Sequence, residues 1–519
     1  MLNNILAVVF SLCIGLTGYP VSAADFDPRA STRQLIVRLK DDGLRRIQAV
    51  RRNDAISDLR LPDGRPLSFV RHFNRNGMVV RLPADVSLEE AERIAEQLAE
   101  NPSVASAQPD KRVYPALRPI DPEFPGQWHL FEDTAGIHMP VAWDQETGSG
   151  SVVIAQLDTG IIPHADLNPA RILAGYDLIS DAVTANDGDG RDPDSSDPGD
   201  ATVDDECGVG VPGEDSSWHG LAVAGVMVAE SNNAADIAGI DFAARLLPVR
   251  VLGKCGGAIS DVVDAIRWSA GLPVAGVPIN PVPAKVINVS LSGVGSCSFE
   301  EQGAINDAVN AGAVVVVAAG NEAIDVATIS PANCDNVVTV GAVGRDGRRA
   351  SYMNTGEEID LSGPGGDGDA PNANGILTLF NIGSTVPVAD TLAEIQGTSF
   401  TTAQVSAVVA LMWASNGAEL NPGLIQNILR STTRAFPDSS CDPSTCGSGI
   451  LDADAALAAA LDDPTSVFGP TANTNSGGGG CTLVAKGSSR FDPLFVLLLM
   501  AAAGLRCCRR RRTNSGFPE

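Results

Sequence analysis

Three stretches of the chain carry side chains whose types and spacing suit hydrolysis by a serine nucleophile. From Gly397 to Leu411, Ser399 stands at the mouth of an apolar helix. Val405, Val408, Val409 and Met412 share one stripe at helical spacing, and Gly397 permits a close turn before it. Such a helix aims free N–H groups and its positive dipole end at Ser399. Taken alone, Thr398 or Ser399 also reads as the ordinary N-cap of a core helix. A serine hydroxyl attacks at neutral pH only with a base in hydrogen-bond reach and a carboxylate to orient that base. Candidate bases are few, since the histidines are His72, His129, His138, His164 and His219. Only His219 opens a Gly-punctuated apolar helix, the stretch from Ser217 to Met227. Asp158 is the candidate carboxylate, because the apolar strand Val152–Leu157 runs through it into the Gly160 turn, where open parallel sheets place their chemistry.

Two further stretches belong to the same chemistry. Val314 to Asn321 reads as a buried parallel strand ending in an amide, although Gly-Asn is also an ordinary turn pair. Val286 to Gly293 reads as another apolar strand. The order Asp, His, Ser along the chain is that of the subtilisins. Asp158-Thr159-Gly160, His219-Gly220 and Gly397-Thr398-Ser399 each resemble a signature block of the subtilisin-like serine proteases, in matching strand or helix context. Each block alone is weak; the ordered set is specific.

The resemblance runs from about residue 127 to 460. Gln127-Trp128-His129-Leu130 and Trp143-Asp144 resemble the family's entry segment, and Gly447 to Ala453 its closing segment. It implies a three-layer α/β fold with a central, mainly parallel sheet. It implies a serine endopeptidase in which Ser399 attacks, His219 relays the proton, Asp158 fixes the imidazole and Asn321 steadies the oxyanion. Ser290, Leu291, Ser292 and Gly293 would hold the substrate backbone. The match departs at Leu221-Ala222, where the family commonly has Thr-His, and at Ala403-Gln404, where it has Pro-His. Neither pair carries a proton transfer, so substrate preference and stability are what these departures put in question. Two other readings stand beside this one. A pepsin-like enzyme would share Asp-Thr-Gly, but it needs two carboxylates and the second copy here is Asn354-Thr355-Gly356. A catalytically dead scaffold serving as a surface binding protein would keep the fold alone.

The elements that must position these residues divide the chain. Its 519 residues allow two or three domains, and 44% hydrophobic residues support a sizeable core. Residues 1–24 hold an apolar run and the small-x-small pattern Val21-Ser22-Ala23, a secretory signal without the usual basic start. A buried N-terminal helix is the alternative. Residues 25–116 are Arg-rich and read as strand, helix and strand: Leu35–Leu39, then Ser87–Glu100 with a Ser87/Glu90 capping box, then Val104–Asp110. By position and pattern this small α+β, ferredoxin-like unit resembles the family's inhibitory propeptide; a plain accessory domain is the other reading. Residues 117–462 form the expected catalytic domain. Residues 463–480, ending in four glycines, read as a flexible linker.

Between Asp158 and His219 lies a long acidic insert, Asp181 to Asp215. Its carboxylates and glycines suit Ca²⁺ about as well as plain solvation, and its spacing is not that of an EF-hand. Structural Ca²⁺ is an implication of the family resemblance, with Asp166, Asn232 and Asn233 as the positions that match. Of ten cysteines, six fall in the catalytic domain, which suits disulfides in a secreted protein. Six cysteines allow 15 pairings, of which Cys207–Cys255, Cys297–Cys334 and Cys441–Cys446 would join neighbours around loops.

The tail, residues 481–519, carries Cys481, an apolar run from Leu494 to Leu505 and the cluster Arg509 to Arg512. It resembles bacterial C-terminal sorting signals cut by a membrane protease, and the run is short for a span of about 20 residues. The tail has a net charge of +5 within a total of -27, leaving -32 on residues 1–480. That balance argues against nucleic acid as a partner. The expected partners are protein or peptide substrates, the chain's own propeptide and a sorting protease, at a bacterial cell surface or in the medium.

Overall fold

Strand-forming runs in the N-terminal unit alternate with period two, and the sheet they build follows from that. The structure is a computed structural model describing residues 31–40, 55–61, 64–73, 77–111, 117–367 and 375–461. The signal, linker and tail readings, and residues 112–116, lie outside the described residues. In β1 (Ser31–Leu39), Leu35, Val37 and Leu39 are buried while Arg33 and Arg38 face out. β1 pairs antiparallel with both β4 (Gly77–Ser87) and β5 (Val104–Pro109). β2 (Ala55–Arg60) and β3 (Pro66–Phe73) complete the order β2-β3-β4-β1-β5. α1 (Leu88–Ala99) buries Ala91, Ile94, Ala95 and Leu98 in the core of this unit. The capping box is only half formed: Ser87 Oγ accepts from Glu90 N (3.1 Å), but the Glu90 carboxylate pairs with Arg93 instead of turning back.

The second and larger core belongs to residues 117–461, and none of its members is shared with the first. The seven strands of its main sheet are β6 (Val153–Asp158), β7 (Tyr176–Asp177), β8 (Arg245–Arg250), β9 (Val286–Val289), β10 (Val314–Ala318), β11 (Val338–Val343) and β12 (Leu361–Pro364). Their order is β12-β11-β10-β9-β6-β8-β7, parallel throughout. Strands this rich in valine, with both faces buried, are what a helix-covered parallel sheet requires. One layer is α2 (His219–Val228) with α5 (Thr398–Asn416); the other is α3 (Ile259–Ser269) with α4 (Phe299–Asn310). This is the three-layer α/β fold. β6 lies between β9 and β8, so Asp158 ends the strand at which the sheet reverses its winding.

α5 is buried beyond the one apolar stripe read from its spacing: every residue from Thr398 to Trp413 is buried. A helix buried on all sides must satisfy its polar side chains inside. Thr402 Oγ1 donates to Thr398 O (2.8 Å), Gln404 Nε2 to Pro364 O (2.6 Å) and Ser406 Oγ to Asn288 Oδ1 (2.9 Å). A hairpin of β13 (Ile376–Asn381) and β14 (Asp390–Ile395) packs β13 against α2. The disulfides are Cys207–Cys255, Cys297–Cys334 and Cys441–Cys446, the pairing of neighbours around loops.

Candidate active site

The ends of β6, α2 and α5 meet because two small residues let them. Gly220, the second residue of α2, packs on the turn after β6, where an added Cβ would lie 1.9 Å from Gly160 O. Gly397, with φ 150°, turns the chain into α5 in a conformation that side chains disfavour. His219 is thus carried to Asp158, and its Nδ1 lies 2.6 Å from Asp158 Oδ1. The same oxygen accepts from Thr159 N (2.8 Å), while Asp158 Oδ2 is buried with no hydrogen-bond partner among the described residues. Burial pulls the His219 pKa down, but the charge and hydrogen bond of Asp158, with Asp200 and Asp197 beyond it, outweigh this and raise it.

Ser399 and Asn321 line the same cleft, a space of about 530 Å³ bounded also by Asp200, Leu252 and the Ser290–Ser292 edge. The Ser399 hydroxyl donates to Ser290 O (3.3 Å) rather than to His219. Serine–base bonds are commonly loose before substrate arrives. Asn321 Oδ1 accepts from both Thr398 N (3.0 Å) and Thr398 Oγ1 (2.9 Å), which orients the amide and leaves its N–H groups for the cleft. Leu291 and Ser292 line the cleft, and Gly293 begins the two-residue strand that pairs with Ser330. Asn354, the would-be second aspartate of an aspartic protease, is spent on the turn behind Asn321. Its Oδ1 accepts from Glu322 N and Ile324 N, and its Nδ2 donates to Ala319 O.

The positions matched to Ca²⁺ come together without forming a cage. Asp166 accepts from Asn233 Nδ2 (2.7 Å) and Ile237 N (3.1 Å), and burial pushes its pKa up to about 6. Asn233 Oδ1 is taken by Ala235 N, and Asn232 gives only its backbone N–H, to Asp121. A cation wants oxygens turned toward it, and here they face N–H donors. Among the described residues no group of three or more His, Cys, Asp or Glu could hold a metal. Part of the acidic insert is likewise spent on protein partners: Asp187 pairs with buried Arg250, beside Asp177 of β7, and Arg191 pairs with Asp261 and Asp264 of α3. Asp197 and Asp200, which reach the site from that insert, went unread in the sequence, where nothing separates them from their acidic neighbours.

The Subtilase family profile matches residues 149–473. The chain is 45% identical over 412 residues to an extracellular protease of Xanthomonas campestris pv. campestris, covering 79% of this chain and 69% of that protein. This chain belongs to the subtilase family. As a subtilase it is a serine-type endopeptidase by descent. It is also 39% identical to an extracellular basic protease of Dichelobacter nodosus, covering 76% of this chain and 65% of that one. Among solved structures, a protease of Pseudoalteromonas arctica matches with a TM-score of 0.63 and 50% identity, over 66% of this chain and 99% of that one.

Proposed function

We propose that the chain is an exported serine endopeptidase in which Ser399 attacks the substrate carbonyl carbon. His219 takes the hydroxyl proton as the tetrahedral intermediate forms, and Asp158 stabilises the resulting imidazolium. The Asn321 amide, with the Ser399 backbone N–H at the start of α5, donates to the oxyanion. Collapse expels the amine, which takes the proton from His219, and water then hydrolyses the acyl-enzyme by the same steps. Ser290, Leu291, Ser292 and Gly293 hold the substrate backbone beside it. The observation that carries this reading is the 2.6 Å Asp158–His219 bond within the cleft that Ser399 and Asn321 also line.

Residues 25–116 act as the inhibitory propeptide, and the chain removes them itself between about Val113 and Ile120. Support comes from the separate core of the N-terminal unit and from relatives described as extracellular proteases. Residues 1–24 direct export, and the tail from Cys481 is trimmed by a membrane protease at the cell surface, a reading that rests on the sequence alone. Ser399→Ala should abolish both peptide hydrolysis and propeptide removal while leaving the fold intact. Undiminished proteolysis in that variant would overturn the assignment, and labelling of the wild type by a serine-directed inhibitor separates an active enzyme from a dead scaffold.

A further inference from the structure

The insert between β6 and α2 sends two carboxylates behind the proposed acid–base pair. Asp197 is 3% exposed, and its Oδ1 accepts from Gly199 N (2.9 Å). Its Oδ2 accepts from Thr159 Oγ1 (2.7 Å), and that hydroxyl oxygen accepts in turn from Gly220 N (3.0 Å). Thr159 follows Asp158 and Gly220 follows His219, so one hydroxyl joins the end of β6 to the first turn of α2. A carboxylate can only accept. Asp197 therefore obliges Thr159 to donate toward it, which keeps the hydroxyl lone pairs for the Gly220 N–H. Thr159 also binds Asp158 Oδ1 through its backbone N–H.

The backbone leading into His219 is braced as well. Asp200 accepts from Ser217 N (2.7 Å) and Ser217 Oγ (2.6 Å), and Ser217 Oγ accepts from His219 N (3.3 Å). Between them Trp218 holds φ 45°, which a bulky residue seldom adopts unless its surroundings fix it. Its indole Nε1 donates to Gly383 O (2.6 Å). The backbone entering α2 is thus held in an unfavourable conformation by contacts on both sides.

We propose that Asp197, acting through the Thr159 hydroxyl, is a positioning residue that holds His219 against Asp158. It touches no substrate. The proposal rests on the assignment of Asp158 and His219 as the acid–base pair. The relay makes a sharp chemical demand: valine has threonine's shape but cannot bridge, whereas serine loses the methyl and keeps the bridge.

The test compares Thr159→Val, Thr159→Ser and Asp197→Asn in the full-length chain, with kcat and KM measured on a peptide amide. Thr159→Val should lower kcat about 10- to 100-fold with KM within about twofold of wild type, the size of effect expected from a misplaced catalytic group. Asp197→Asn should lower kcat in the same way, and Thr159→Ser should recover most of the loss. The same pairs placed in a Ser399→Ala background, which cannot digest itself, report geometry directly. There the proton resonance of His219 Nδ1 should shift or broaden with Thr159→Val and persist with Thr159→Ser. Wild-type kcat in Thr159→Val or Asp197→Asn would overturn the proposal, as would equal losses in the valine and serine variants. If His219→Ala itself kept turnover, the acid–base assignment would fail instead.

Discussion

In the proposed reaction Ser399, His219 and Asp158 divide the work by their surroundings. Burial pulls the His219 pKa down, but Asp158, with the charges of Asp200 and Asp197, raises it overall. The imidazole must be neutral to act as base, so kcat/KM should rise with pH through a midpoint above 6.5, and Asp200→Asn should move that midpoint down. A pH–rate profile of both enzymes checks this, and an unmoved midpoint would remove Asp200 from the account. Asn321→Ala should lower kcat about 100- to 1,000-fold with little change in KM, the magnitude known for losing one such donor in a subtilisin. His129 makes the opposite kind of prediction. It is fully buried, neither ring nitrogen has a hydrogen-bond partner among the described residues, and burial lowers its pKa to about 3. The unfolded chain then binds this proton near pH 6.5 while the folded chain does not, so its contribution to stability is whole above 6.5 and drains away as pH falls toward 3. Relative to its value at pH 7, wild type should lose about 2 kcal/mol by pH 5 through this group. His129→Phe should escape that loss, which denaturant unfolding in the Ser399→Ala background would measure.

The elements around the site are tied by buried charge and by covalent loops. Arg250, at the end of β8, is fully buried, donates to Thr159 O (3.0 Å), and pairs with Asp177 of β7 and Asp187 of the insert. Replacing it with methionine would strand Asp177 in the interior, and Arg250→Met should cost about 3–5 kcal/mol in unfolding experiments. A loss below about 1 kcal/mol would mean the site relaxes around a neutral Asp177. Cys207–Cys255 fastens the insert to the segment after β8 across a separation of 48 residues. Loop-closure entropy values such a link at about 4 kcal/mol, an upper figure where the native geometry is relaxed. Cys207→Ser with Cys255→Ser should lower the thermal midpoint, and both cysteines border the cleft, so peptide KM should rise as well.

At the scale of the molecule, two hydrophobic cores with no common member would let the chain survive the proposed cut. Residues 31–111 and 117–461 each bury their own apolar side chains, so a cut between them removes no core contact. Mass spectrometry of the secreted protein should find a new N-terminus between about Val113 and Ile120. The Ser399→Ala chain should keep residues 25 to 110 attached. An active secreted enzyme still carrying them would displace the boundary. The charge of -32 on residues 1–480 suits an exported enzyme that must stay soluble, and says nothing of its fold.

The proposed chemistry was read from the sequence because it rests on residue type and local period. Asp158 ends an apolar run at a glycine turn, His219 opens a helix, and Ser399 follows a glycine before another. The apolar runs of β6 and β8 to β11 read as buried strands without any knowledge of their neighbours. Tertiary structure decided everything that depends on which buried polar group meets which. Asp197 reaches Thr159 across 38 residues and Arg250 reaches Asp177 across 73, yet in the sequence they are two more charges in an acidic stretch and on a strand. The turning of the Asn233 amide toward Asp166 was decided in the same way. A side chain's period can be read from its neighbours along the chain. Its hydrogen-bond partner is fixed only when the sheet register brings distant segments within 3 Å, because at that range burial makes an unpaired polar group too costly to keep.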